Sequence, residues 1–215
     1  MKQLSLFFLL LSCSIIGIAQ KISYAVSFPN ILHHEAQISV VAENIPQQSL
    51  VFRMSRSSPG RYATHEFGKN VYDVKAFNNK GEPVAINRTD GDVYTLPKYA
   101  GYVKLVYTLY ANYADGTYAG IDIGGVHLNM PASFMWVKGA DKVPIDIQFE
   151  LPNKNFSIAT QLKPGNTPNS FSAPGLQYFM DSPVRMANLI SKKWQLRNPD
   201  GKQYDFELAL DAKAT

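Results

Sequence analysis

Apolar residues along this chain recur at every second position, in short runs separated by Gly, Pro and Asn. A period of two puts one face of a strand inward and the other outward. Positions 24–28 alternate ring, small, apolar, small, ring. In 35–42, Ala36, Ile38 and Val40 share a face. A third strand is predicted at 50–54. In 71–77, Val71, Asp73, Lys75 and Phe77 face one way, and Tyr72, Val74 and Ala76 the other. A Gly91-Asp92 turn precedes a strand at 93–96. The longest run, 102–113, sets Val103, Leu105, Tyr107, Leu109 and Ala111 against Tyr102, Lys104, Val106, Thr108 and Tyr110. Both of its faces carry apolar or aromatic groups, which predicts a central strand. Strands follow at 143–151, where Val143, Ile145, Ile147, Phe149 and Leu151 point inward, and at 156–159. The turn-rich stretches 163–168 and 172–175 predict one long loop. Near the C-terminus, 193–197 and 204–210 flank Asn198-Pro199-Asp200-Gly201, whose Pro and Gly supply turn chemistry, so a closing hairpin is expected. No long helical period, internal repeat or low-complexity tract is visible. The pattern predicts an all-β fold, an antiparallel β-sandwich or curved open sheet with little helix.

Composition supports this. At 46% hydrophobic and 18% charged residues, the chain can bury a core, which excludes wholesale disorder. The net charge of +4 is spread along the sequence. Its densest basic spot is Lys192-Lys193, with Arg197 nearby; a nucleic-acid binder gathers such residues on one face, so nucleic acid is not an expected partner. The first residues change the picture. Lys2 precedes an apolar stretch, 4–18, that ends in Gly17-Ile18-Ala19. This reads as a secretory signal peptide over 1–19, leaving a single β domain over 20–215. The stretch is shorter than the ~20 residues of a spanning helix, so no stable membrane insertion is expected. The protein is expected to be exported, periplasmic or extracellular. Cys13, the single cysteine, lies inside this segment, so the mature chain has no disulfide framework. Leu10-Leu11-Ser12-Cys13 has a lipoprotein-like form, and a lipid anchor through Cys13 is the minor reading.

A search for chemistry finds motifs that start and stop. His34-Glu35 has Ile38, and His65-Glu66 has Lys69, where a zincin helix requires a second His. His33 and His34, adjacent on a strand, would point to opposite faces, and His127 stands alone among apolar residues. All four read as packing or surface groups. The Gly-x-Ser-x-Gly elbow and the phosphate-cradling Gly-rich loops are absent. Asp115, Asp122, Asp141 and Asp181 are isolated in turns, where Asp bonds its own backbone. The tyrosines at 94, 99, 102, 110, 113 and 118 read as strand-face packing before they read as a binding face. No complete catalytic site is expected within these residues.

One constellation is more specific. Met54-Ser55-Arg56-Ser57-Ser58-Pro59-Gly60-Arg61-Tyr62 is followed by His65-Glu66-Phe67, Asn70-Val71, Ala76-Phe77 and Gly81. Then come Val106-Tyr107-Thr108-Leu109-Tyr110-Ala111 and, further on, Met180-Asp181-Ser182-Pro183-Val184. This order resembles the N-terminal domain of the glycyl aminopeptidases, metallopeptidase family sixty-one, over about residues 22–210. Ser57 stands where the family often has Trp, and His65-Glu66 where Arg and Asp are common. The resemblance implies that Ser58, Pro59, Gly60 and Tyr62 form a turn, that Tyr107 lies in the family's central strand, and that Asp181, Ser182 and Pro183 form the loop leading to the last hairpin. These roles are structural, with no catalytic, cofactor or metal residue among them. Family members continue into a thermolysin-like catalytic domain with a His-Glu-x-x-His helix and a downstream Glu. The resemblance therefore implies a partner, that catalytic metallopeptidase domain in cis or in trans, and zinc only there. The alternative is a stand-alone exported module binding a peptide, glycan or protein. Trp194, Leu208 and Leu210 discriminate, because a domain made to pack on another leaves an apolar patch there.

Overall fold

The structure is a computed structural model and describes residues 19–212 apart from 59, 61, 62 and 114. The expected signal peptide, and with it Cys13, thus lies outside the described residues but for Ala19. The chain runs through β1 (Lys21–Asn30), β2 (Glu35–Glu43), β3 (Leu50–Arg53), β4 (Val71–Phe77), β5 (Pro83–Val84) and β6 (Asn87–Asp90). It continues with β7 (Val93–Leu96), β8 (Tyr102–Tyr110), β9 (Gly120–Asp122), β10 (Gly125–Leu128), α1 (Met130–Ser133), β11 (Trp136–Val137) and β12 (Ile145–Phe149). Then follow β13 (Ser157–Ala159), β14 (Lys163–Pro164), β15 (Ser170–Ala173), α2 (Leu176–Met180), β16 (Val184–Ala187), β17 (Ile190–Arg197) and β18 (Gln203–Leu210). Among the described residues 49% are in strands and 8% in helices, with no closed barrel, so the fold is all-β, as the alternation predicts.

The largest sheet has eight strands in the order β14-β15-β12-β1-β2-β8-β4-β5. Its pairs are antiparallel except β1 with β12, which run parallel. A parallel pair needs a long crossover, and here the chain builds most of two further sheets between the two strands. Those sheets have four strands each, β11-β3-β7-β6 and β13-β16-β10-β9. The central ladder aligns the alternation. Tyr24 opposes Val40, which opposes Leu105; Val26 opposes Ile38, which opposes Tyr107. Ala36, Ile38, Val40, Val103, Leu105 and Tyr107 are all fully buried. Burying each larger side chain contributes about 1.5–3 kcal/mol. The three sheets share one apolar core.

The structure departs from the sequence reading in four places. The alternation of β4 breaks at Asp73, which takes φ 52° in a bulge between Tyr72 and Lys75. The extra residue changes the parity, so that Val71 and Ala76 both reach the core. The stretch expected to be one long loop contains β14 and β15, which pair with each other, and β15 pairs with β12. His33 and His34 are not on a strand: residues 31–33 form a 3₁₀ turn that ends at His34 with φ 63°. The last hairpin, β17–β18, is longer than expected and, among the described residues, pairs only with itself.

Candidate functional site

The segment that carried the resemblance forms a loop pinned at its base. The Arg56 carbonyl accepts from the His65 N–H (2.6 Å) and the Glu66 N–H (3.3 Å), closing the ends of the loop on each other. The Arg56 guanidinium then gathers three carboxylates: Glu66 at 2.5 Å, Asp92 at 3.3 Å and Asp90 at 3.8 Å. Asp92 is the buried one, and its other oxygen accepts from the Gly68 N–H at 2.7 Å. Gly68 must be glycine here, because a Cβ would stand 2.4 Å from both the Asp92 carboxylate and the Gly91 carbonyl oxygen. A second anchor is Asn129, whose amide donates to the Ser58 hydroxyl (3.1 Å) and to the Thr117 carbonyl. Gly60, at the exposed tip, has φ +76° with nothing within 4 Å of a Cβ position. Backbone conformation, not crowding, is what calls for glycine there. Pro59 and Tyr62 lie outside the described residues.

His65 leaves this loop to stack on Phe67, with centroids 5.4 Å apart. Its Nδ1 lies 3.4 Å from the Tyr118 hydroxyl, while its Nε2 is buried without a hydrogen-bond partner among the described residues. Tyr118 stacks in turn on Tyr113, centroids 4.4 Å apart, with the Lys69 ammonium over its ring. The tyrosines of the sequence cluster therefore do not share one face. Tyr113 and Tyr118 meet, but Tyr94 is buried under Arg88, and the Tyr99 hydroxyl donates to the Ala42 carbonyl at 3.1 Å. The other histidines are dispersed. His34 Nδ1 lies 2.6 Å from the Ile121 carbonyl, and His127 sits on β10. Burial, and then the positive charge of Arg185, holds His127 below the ordinary imidazole pKa. Among the described residues no three His, Cys, Asp or Glu side chains come together in a way that holds a metal ion. A resident zinc does not fit them.

The sequence model of the peptidase M61 N-terminal domain matches residues 23–188. This chain belongs to that family. A search of curated proteins returns no match. Among solved structures, an aminopeptidase N family protein from Idiomarina loihiensis superposes with a TM-score of 0.79 at 18% identity, covering 89% of this chain and 32% of that one. Legionella pneumophila aminopeptidase A, solved with aspartic acid, gives 0.52 at 8% identity, over 89% of this chain and 24% of that one. A mutant of the M1 zinc metallopeptidase of Deinococcus radiodurans gives 0.50 at 9% identity, over 89% and 47%. At such identities these likenesses show the fold alone. This chain spans between a quarter and a half of the length of the solved chains it resembles.

The remaining motif residues lie inside the matched region. Tyr107 is fully buried; its hydroxyl donates to the Ser133 carbonyl (2.9 Å) and accepts from the Met135 N–H (3.1 Å). Burial pushes its pKa well above the usual phenol value. Asp181 is exposed and follows α2; Ser182 is fully buried, and its hydroxyl donates to the Tyr178 carbonyl at 2.5 Å. Pro183 does not lead straight to the last hairpin. It leads into β16, which lies between β10 and β13, and the hairpin starts only at Ile190. The buried anchors Asn129 and Asp92 were not singled out from sequence. An Asn before an apolar run and an Asp after a Gly are too common to signal anything.

Proposed function

We propose that this chain is the non-catalytic N-terminal β domain of a secreted or periplasmic zinc metallo-aminopeptidase. It packs on a catalytic domain and frames that domain's substrate cleft. Zinc and its ligands belong to the catalytic domain. What the chain's own residues contribute is a surface.

The observation that carries this reading is the β17–β18 hairpin. Trp194 opposes Phe206, Leu196 opposes Tyr204, and Ile190 opposes Leu210. Their exposures run from 39% to 55%, and Leu208 beside them is 46% exposed. Trp194 and Phe206 stack with centroids 5.7 Å apart. The other face is polar, with Lys193 paired to Glu207 at 3.3 Å and Gln195 to Asp205 at 2.6 Å. This is a strand pair with one core-type face standing in water, and it lies just past the matched region 23–188. Contiguous apolar surface of this kind marks an interaction site.

The test is to isolate the protein from exported fractions of its source cells and determine what accompanies the chain. The reading expects a polypeptide bearing His-Glu-x-x-His, covalently continuous with the chain or bound to it, with stoichiometric zinc and aminopeptidase activity. The double variant Trp194→Ser, Phe206→Ser should raise KM or weaken the association, while changing the stability of the body by no more than ~0.5 kcal/mol. A chain that is isolated without such a polypeptide, or that associates equally well with the hairpin altered, overturns the reading.

A further inference from the structure

We propose that Arg185 is the carboxylate-binding group of a peptide-binding cavity, and that the chain's own Asp211 occupies it in this structure. The site needs nothing from another domain, so it stands or falls separately from the peptidase reading.

The cavity has a volume of about 660 Å³, within the ~300–1,000 Å³ range of ligand pockets. Its floor is the outer face of the sheet that holds β9, β10 and β16. Gly120 pairs with His127 and His127 with Arg185, so the three stand in one row. The adjacent row, Ile121, Val126 and Met186, points into the core at 1%, 0% and 0% exposure. The row of Gly120, His127 and Arg185 therefore faces outward. Gly125 makes room for the guanidinium, since a Cβ there would lie 2.6 Å from Arg185 Nη2 and 3.1 Å from its central carbon. Any other residue at 125 displaces the Arg185 head. Tyr113 forms a wall, and Asp115 and Asp122 stand among the lining residues.

Three features specify the ligand. First, the Arg185 guanidinium holds a carboxylate now, that of Asp211. Asp211 follows the last paired residue of the hairpin, Leu210, and is exposed, with 41% of its side chain in solvent. A half-exposed ion pair is worth little, about 0–1 kcal/mol, so a carboxylate arriving in the cavity competes on nearly equal terms. Second, a planar guanidinium matches a carboxylate through two parallel N–H donors, and Lys does not reproduce this. Third, Asp115 and Asp122, which each accept a backbone N–H at 2.8 Å and 2.9 Å, place two carboxylates in the cavity lining. They disfavour a polyanion and leave room for a ligand with a single carboxylate. The ligand class is a short peptide bearing one carboxylate, either at its C-terminus or on an acidic side chain.

The test uses the full chain, ¹⁵N-labelled, titrated with three peptides: N-acetyl-trialanine free acid, its C-terminal amide, and an amidated N-acetyl-Ala-Glu-Ala. The proposal expects one or both acidic peptides to shift the resonances of Gly125 and Arg185, and the neutral amide to leave them unmoved. Which acid binds identifies the source of the carboxylate. Arg185→Gln should weaken binding about tenfold or more, the scale of a lost charge-assisted hydrogen bond, with Arg185→Lys between it and wild type. Asp211→Asn should strengthen binding about two- to fivefold, because it removes the internal competitor. Equal binding of acid and amide, no binding by any peptide to wild type or Asp211→Asn, or unchanged affinity in the variants overturns the proposal. Should the Arg185 variants fail to fold by circular dichroism, Asp211→Asn decides alone: tighter binding supports the site, and unchanged binding overturns it.

Discussion

Replacing Tyr107 by Phe removes one oxygen atom from the centre of the molecule. Its cost follows from where that atom's bonds go. The hydroxyl donates to the Ser133 carbonyl at 2.9 Å and accepts from the Met135 N–H at 3.1 Å, and the ring is fully buried. The substitution therefore leaves an acceptor and a donor of the α1–β11 connection without partners, in a place water does not reach. Each such orphan costs about 1–3 kcal/mol, so with partial relaxation the sum is about 2–4 kcal/mol. In a domain of this size each kcal/mol lowers Tm by about 2–4 °C, which puts the expected fall at roughly 4–16 °C. Tyr24 supplies an internal control. Its hydroxyl donates to the Met135 carbonyl at 2.7 Å and orphans one group rather than two, so Tyr24→Phe should cost about half as much. Urea unfolding followed by circular dichroism gives both values. A Tyr107→Phe cost below ~0.5 kcal/mol, or below that of Tyr24→Phe, refutes the claim that these hydroxyls clamp the connection.

Burial raises the pKa of both Tyr24 and Tyr107. The folded state then holds their protons more tightly than the unfolded state, in which tyrosine titrates near ~10. Stability from this source is complete below about pH 10 and falls as pH rises beyond it; the decline should flatten in Tyr107→Phe, and an identical slope contradicts the assignment. His127 is the reverse case, because burial and Arg185 lower its pKa. Its contribution is complete above the unfolded value of ~6.5 and is lost as pH falls below it, so His127→Gln should reduce acid sensitivity in unfolding curves measured down from pH 7. Gly68→Ala forces a Cβ to within 2.4 Å of the Asp92 carboxylate and the Gly91 carbonyl oxygen. Overpacking together with loss of the buried hydrogen bond should cost about 2–4 kcal/mol, and a neutral result in thermal unfolding shows that the Arg56–Asp92 clamp is not rigid.

Most of the strand framework was legible because burial is one-sided. In β2 the pattern Ala36, Ile38, Val40 maps directly onto an inner face at 0% exposure. Where a local event shifted the parity, the pattern misled. Nothing in Tyr72-Asp73-Val74 announces a bulge, since Asp at positive φ is chosen by the ladder around it. The stretch around β14 and β15 looked like a loop because its strands are short and carry Pro, Gly and Ser. Pairing with β12 holds them in place, and pairing partners distant in sequence leave no local trace. The site was less legible than the fold. The motif located the loop, but its anchors, Asn129 and Asp92, hold it through side-chain bonds that include Ser58, 71 residues away, and Gly68, 24 residues away.

The hairpin makes the same point from the opposite side. Its alternation was as clear as that of β2, yet the two meet different fates. Ile38 and Val40 are enclosed because β1 and β8 flank β2 and the other sheets cover it, whereas Trp194 and Phe206 have each other and solvent. Alternation encodes an amphipathic strand and says nothing of what covers it. Two strands alone are marginal in water, and the Trp194–Phe206 stack adds only about 0.5–1.5 kcal/mol. Among the described residues none from the hairpin enters the common core, and its end is tied to the body through Arg185 and Asp211. A pattern that specifies an inward face so strictly implies an interior for it to face. In the proposed reading a partner supplies that interior, which is why the hairpin, rather than the turn that carries the family motif, is the part of the molecule on which that reading rests.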